Sequence, residues 1–325
     1  MNGKAAFFRQ SLTAFWRSRA FRIMTVAGTV LFSVAIVGAL IWQQRTLLLG
    51  YAWKIRPEYL LLSTVLYAID LILVTWIWGD IVNSLGVRLP FKKHFAYYCI
   101  ANIAKRLPGT IWYVAGRGQL YQKDDVSLKV ISIASGIEFV VALLSSILLS
   151  IVFALHVLAS YAISPWVLVL VFAAGGLLLH PTVFGWLLKK FNVEASGLAA
   201  GRVLIWFAGY LVAWGLTGVA IFAIANALAP LSAVHIPYIT GCVSLLNLIT
   251  SALFFAPTNL GVNEIGLGLL LGSVMPVAVA VILAVVVRIL FTLYEICAAL
   301  LCLAFSRKSS RQGKITADFL PRKGD

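Results

Sequence analysis

The sequence predicts an all-α fold: a polytopic integral membrane protein with about six full transmembrane helices plus two re-entrant helical hairpins in an inverted-topology repeat. Three observations carry that expectation. The 325 residues are 62% hydrophobic and only 11% charged, with a mean hydropathy of +0.98, whereas about a quarter of a soluble domain is charged. Apolar runs of about 20 residues, long enough to cross a hydrocarbon core, recur along almost the whole chain. Lys and Arg fall between these runs.

The elements follow in order. Residues 1–21 form a basic segment with Lys4, Arg9, Arg17 and Arg19. Val37-Gly38-Ala39 has the look of a signal-peptide cleavage site, but the run from 23 to 42 is long enough to span and reads as an uncleaved first helix. Further spans are expected near 58–79, 127–156, 164–188, 203–227 and 276–305. One membrane domain therefore covers 22–305, in halves of about 22–157 and 164–305. A basic tail, 306–325, follows.

Charge bias sets the topology. The basic N-terminus, Lys92 with Lys93, Lys189, Lys190, Arg202 and the C-terminal tail go inside. Residues 157–163 and 228–236 carry no Lys or Arg and go outside. Two segments break the pattern. The segment 95–122 is interrupted by Lys105, Arg106, Pro108 and Gly109, and 237–275 is interrupted at Pro257–Gly261. A single crossing by 95–122 would strand Lys123 and Lys129 outside. Entering and leaving on the inner face keeps every basic loop inside, and 237–275 then enters and leaves on the outer face. Two ordinary crossings of 237–275 give the same parity; the prolines and polar tips favour re-entry. The second half then runs opposite to the first, an architecture of secondary transporters in which broken helices meet at a midplane site. Both termini are cytoplasmic, and the expected location is the plasma (inner) membrane.

The net charge of +15 marks anionic lipid headgroups, not nucleic acid, as the partner of the basic loops. Cys99, Cys242, Cys297 and Cys302 lie in apolar stretches without CxxC spacing and read as small packing residues. The four histidines show no ligand spacing, so neither metal nor cofactor is expected.

The polar residues inside apolar runs are the candidate site, because a charge in hydrocarbon is costly. Pro257 ends one half-helix at Ala256. Thr258 or Asn259 caps the next, whose positive end attracts an anionic group or holds Glu264. Asn263 accompanies Glu264, and Gly261, Gly266, Gly268 and Gly272 permit close helix contact. Arg288 lies near the middle of the last helix; Glu264 is its first expected partner and Glu295 its second. In the first hairpin Arg106 and Arg117 are donors for phosphate, with Pro108 at the break. Glu138 and Asp70 are intramembrane carboxylates, each able to carry a proton, to pair with Arg117 or to stay neutral. The layout of Pro108, Arg117 and Glu138 matches that of Pro257, Glu264 and Arg288 with the signs reversed. For each residue the competing reading is structural: a buried, satisfied polar group, or a lysine or arginine reaching to headgroups.

The stretches "RLPGTIWYVAGR" (106–117), "APTNLGVNEIGLG" (256–268) and "VVRILFTLYE" (286–295) resemble the membrane region of bacterial lysylphosphatidylglycerol synthases, of the multiple peptide resistance factor type, over roughly 60–300. The family's second motif reads Pro-Gly-Gly-Leu-Gly-x-x-Glu. Here Pro257, Leu260, Gly261 and Glu264 match, while Thr258 and Asn259 replace the two glycines, a departure that bears on substrate or hairpin flexibility. The resemblance implies a lipid-translocating membrane module without the soluble aminoacyl-transferase domain, and hence not an enzyme. The expected function is a flippase-like transporter of an anionic or aminoacylated phospholipid or a polyprenyl-linked lipid. The alternatives are an accessory subunit of a synthase or glycosyltransferase, an intramembrane transferase on lipid-linked sugars, and ion or small-solute transport.

Overall fold

A computed structural model describes residues 38–39, 42–43, 45–51, 53, 55–103, 111–160, 164–190, 200–252 and 262–318. Most of the expected first span, the basic N-terminus, residues 319–325 of the basic tail, and Arg106, Pro108, Pro257, Asn259 and Gly261 lie outside the described residues.

Every regular element among the described residues is helical. In chain order these are α1 (Arg45–Gly50), α2 (Pro57–Ser84), α3 (Phe91–Ile103), α4 (Ile111–Tyr121), α5 (Leu128–Phe153), α6 (Leu155–Ser160), α7 (Pro165–Leu179), α8 (Pro181–Lys190), α9 (Ala200–Leu228), α10 (Ile236–Ala252), α11 (Val262–Leu271) and α12 (Val277–Asp318). Five stretches are long and apolar enough to cross a membrane: Pro57–Ser84, Leu128–Phe153, Ala200–Leu228, Ala233–Ser251 and Val277–Ala304.

Local chemistry sets several boundaries. Pro57 opens α2 behind an extended Arg56, using a ring whose missing N–H costs nothing in a first turn. The Ser127 hydroxyl accepts from the Val130 amide and caps α5. The expected single span 164–188 is instead two helices, α7 and α8. His180 takes an extended conformation (φ −58°, ψ 129°) before Pro181, because proline disfavours helix in the residue that precedes it. The last helix runs past its apolar portion to Asp318.

Four antiparallel pairings organise the bundle. Along α2 and α9, the Arg56 amide donates to the Ala227 carbonyl at 2.9 Å, and Trp206 Nε1 donates to Asp80 at 2.7 Å. Along α5 and α10, Asn247 Nδ2 donates to Ser146 Oγ at 3.2 Å. There Gly241 lets two backbones meet, since a Cβ would lie 2.8 Å from the Phe153 carbonyl carbon. Helices α3 and α4 bring Lys93 to Asp124 and His94 to Tyr121. This end also carries Lys92, Lys123 and Lys129, and is called the basic end below. Helices α10 and α11 meet at the opposite, far end, where the Tyr238 hydroxyl donates to the Leu270 carbonyl and contacts Ser273 at 3.1 Å. Helices α3, α4 and α11 have 13, 11 and 10 residues. They reach about 15–20 Å by helical rise, well short of the ~30 Å hydrocarbon core.

Candidate functional site

Helix α4 carries Arg117 to α5, where Glu138 stands ten residues past Leu128. The Arg117 side chain is 0% exposed and that of Glu138 is 9% exposed. Arg117 Nη1 donates to Glu138 Oε2, and Nη2 donates to Oε1 at 3.4 Å. Tyr210 of α9 donates to the same Oε1 at 3.0 Å. Three rings complete the surround: the Arg117 Cζ lies 4.0 Å from the Trp78 ring centre, 4.4 Å from Tyr98 and 5.0 Å from Tyr113. Guanidinium suits both contacts, because it forks onto carboxylates and its weakly hydrated face attracts aromatic rings. The sequence marks Arg117 as a donor for phosphate. Its charge is matched by Glu138, and it is not among the residues that line the neighbouring cavity.

The second pair forms where α11 and α12 cross. Arg288 Nη1 donates to Glu264 Oε1, so Glu264, not Glu295, is its partner. Gly268 makes the approach possible, since a Cβ there would sit 3.0 Å from the Val281 Cα. Arg288 lies eleven residues into α12, about 17 Å by helical rise. Its side chain is 26% exposed against 7% for Glu264, so this pair is the wetter of the two. In both cases a short helix, α4 or α11, is ion-paired to the helix that follows it, with arginine and glutamate exchanged.

Two cavities separate these pairs. The first, about 470 Å³, is lined by Asp70, Glu138 and Glu295, with Asn102 and several aromatic rings. The second, about 280 Å³, is lined by Asn263, Glu264 and Arg288. They share the lining residues Trp214, Thr217, Asn247, Thr250 and Phe291 and so lie side by side. Asp70, Glu138, Asn263, Glu264, Arg288 and Glu295 thus converge from four helices. Asn102, Trp214, Asn247 and Thr250 were missed by the sequence reading. The spacing of Asn247, Thr250 and Ser251, which puts three polar groups on one face of α10, was the available signal.

At the basic end a second polar cluster ties α2, α3 and α4 together. Tyr121 accepts from Trp78 Nε1 at 2.8 Å and meets His94 Nδ1 at 2.6 Å, while His94 Nε2 lies 3.1 Å from Asn83. Asp124 takes Lys93 and the Tyr97 hydroxyl. These contacts hold its carboxyl below the usual range: the Lys93 hydrogen bond contributes most, and Tyr97 and the Lys93 charge add to it. Among the described residues no group of three or more His, Cys, Asp or Glu side chains is placed to hold a metal ion.

The site suits reversible binding of a polar group inside an apolar body. One ion pair is sealed, one is part-hydrated, and the space between them is walled by carboxylates, amides, hydroxyls and rings. No protein-family model matches the chain, and no curated protein matches it in sequence.

Proposed function

We propose that the chain is a flippase-like transporter that carries a lipid headgroup across the membrane. In this reading α3–α4 and α10–α11 are re-entrant hairpins that open on opposite faces, and the two halves form an inverted repeat with the basic end and both termini in the cytoplasm. The observation that carries it is the pair of oppositely built Arg–carboxylate bridges flanking two adjoining cavities near the middle of the bundle. The resemblance at 106–117, 256–268 and 286–295 to the lysylphosphatidylglycerol synthase membrane region adds support.

The roles follow from the two environments. Arg117 and Glu138, sealed by three rings and Tyr210, anchor the first hairpin to α5. Glu264 and Arg288, part-hydrated at the cavity wall, open and re-form as the headgroup passes. Arg106, next to the break, meets the phosphate. A lipid drives such a switch only if it binds the two states with different affinity, and exchange of the Glu264–Arg288 contact for headgroup contacts supplies that difference.

The test is translocation by the purified full chain in proteoliposomes. Headgroup-labelled phosphatidylglycerol, lysyl-phosphatidylglycerol and a polyprenyl phosphate are offered, and the outer leaflet is quenched. Movement that Glu264→Gln and Arg288→Ala both abolish supports the reading. Absence of movement with every lipid overturns it in favour of an accessory subunit.

A further inference from the structure

We propose that the basic end carries a proton-sensitive latch. The chain Trp78–Tyr121–His94–Asn83 holds α3 and α4 on α2 while the His94 ring is neutral, and it loosens when that ring takes up a proton. The device goes beyond the transport reading and does not depend on it.

The polarity of the chain follows from its first member. An indole N–H can only donate, so the Tyr121 oxygen accepts from Trp78 Nε1 at 2.8 Å. The single Tyr121 hydrogen is then left to donate, and His94 Nδ1 stands 2.6 Å away. Nδ1 is therefore the bare nitrogen, and Nε2 carries the proton and donates to Asn83 Oδ1 at 3.1 Å. Each member donates to the next, from buried Trp78 out to exposed Asn83. Tyr121 is 0% and His94 1% exposed, so neither has water to turn to. Gly79 seats the ring against α2, since a Cβ there would meet His94 Cδ2 at 3.1 Å.

A second proton on the ring breaks this order. Nδ1 becomes a donor, and two N–H groups then face the Tyr121 oxygen. The Tyr121 hydrogen loses its acceptor in a closed site, where an unsatisfied donor is costly. The new charge also lacks a counter-ion, for among the described residues no carboxylate pairs with His94. From α2 the ring faces Gly79 and Asn83; the nearby Asp80 takes the Trp206 indole and lies 4.0 Å from Arg202. From α4 it faces Tyr121, and Arg117 of that helix is matched by Glu138. On its own helix Lys92 and Lys93 add like charge, as does Lys123 after α4, while Asp124 is held by Lys93. On α12, Glu295 acts further along α3, at Cys99. Burial pushes His94 below its ordinary 6.5, against the pull of the Leu89 carbonyl. The latch is thus complete above 6.5 and weakens as pH falls from there toward the depressed value. Asp124, held below 3.8, stays ionised in that window. Trp78 also stacks on Arg117, 4.0 Å from Cζ to ring centre, so a loosened latch is felt beside the sealed ion pair.

The experiment is hydrogen exchange of the purified full chain in detergent. Mass spectrometry reads α3 and α4 between about pH 8 and about pH 5, with rates corrected for the intrinsic pH dependence of exchange. In wild type, protection of both helices should fall about tenfold across this range, the factor for one hydrogen bond of about 1.4 kcal/mol. His94→Asn keeps an acceptor near the Nδ1 position and does not titrate, so its protection should stay level. If that variant lacks a cooperative unfolding transition, Tyr121→Phe replaces it. The bond that protonation breaks is then already gone, so protection should start lower than in wild type and vary several-fold less with pH. Wild-type protection that does not change with pH overturns the latch. So does the full wild-type fall in folded His94→Asn or in Tyr121→Phe. Exchange needs no lipid movement, so the latch and the transport reading fail independently.

Discussion

Glu138→Gln is the sharpest perturbation of the sealed ion pair. The substitution keeps the size of the side chain and one carbonyl acceptor for Arg117 or Tyr210, but it removes the charge paired with a guanidinium that is 0% exposed. Solvent screening does not soften this loss. Leaving one member of a buried pair uncompensated costs about 3–5 kcal/mol, and the retained acceptor argues for the lower end. About 3 kcal/mol is a large share of a typical stability of 5–15 kcal/mol. At about 2 °C per kcal/mol for a large domain, Tm should fall by about 6 °C. The rings around Arg117 suggest the rescue. Arg117→Met combined with Glu138→Gln replaces the pair with an uncharged fill, and the double variant should lie within about 1 kcal/mol of wild type. The assay is thermal unfolding of the purified chain in detergent, followed by tryptophan fluorescence. Wild-type stability in the single variant, or a double variant as unstable as the sum of its parts, would refute the reasoning.

Other expectations follow from the same contacts. Arg288→Ala should cost only about 1–2 kcal/mol in the same unfolding assay, since the Arg288 side chain is partly hydrated, while abolishing lipid movement; a large stability loss would return the pair to a structural role. Tyr121→Phe leaves Trp78 Nε1 without its acceptor and His94 Nδ1 without its partner, so unfolding should show a loss of about 1–3 kcal/mol per orphaned group. Gly268→Leu should force α11 off α12 at Val281, with a cost of about 1–3 kcal/mol and a faster thiol reaction of a cysteine introduced at Leu267. The Asp124 carboxyl is held below its ordinary value of 3.8 by Lys93. Its contribution is complete above that value and disappears as pH falls through the depressed one. With Lys93 about half exposed, the effect should be within about 1 kcal/mol, read as faster hydrogen exchange at residues 122–126 that Asp124→Asn makes independent of pH.

The parts of this molecule that obey simple rules were legible from its sequence. Apolar length marks α2, α5, α9 and the first part of α12. Arg288 demanded a carboxylate, and Glu264 lay within reach of it; Glu138 stood one helix after Arg117 for the same reason. Tertiary placement was not legible. Trp78, Tyr98 and Tyr210 look like ordinary membrane aromatics in sequence, and only the crossing of α2, α3 and α9 gathers two of their rings and one hydroxyl around one ion pair. Asn102 is a single amide on a short helix and carries no periodic signal. The division of 164–188 could have been read, because Pro181 follows His180 in the middle of the run; hydropathy averaged over the window outweighed it.

The α2–α9 pairing has a mechanical consequence. At the far end Arg56 grips Asn226 through both its carbonyl and its side chain, at 2.9 Å each. At the basic end Trp206 holds Asp80, with Arg202 4.0 Å away. Two helices of 28 and 29 residues riveted at both extremities act as a beam, resisting sliding and splaying alike. Strain from any rearrangement then concentrates in the short helices hung between them and α12. Spin labels along the beam should keep a fixed separation under every condition, while labels spanning α9 and α11 should report two distances.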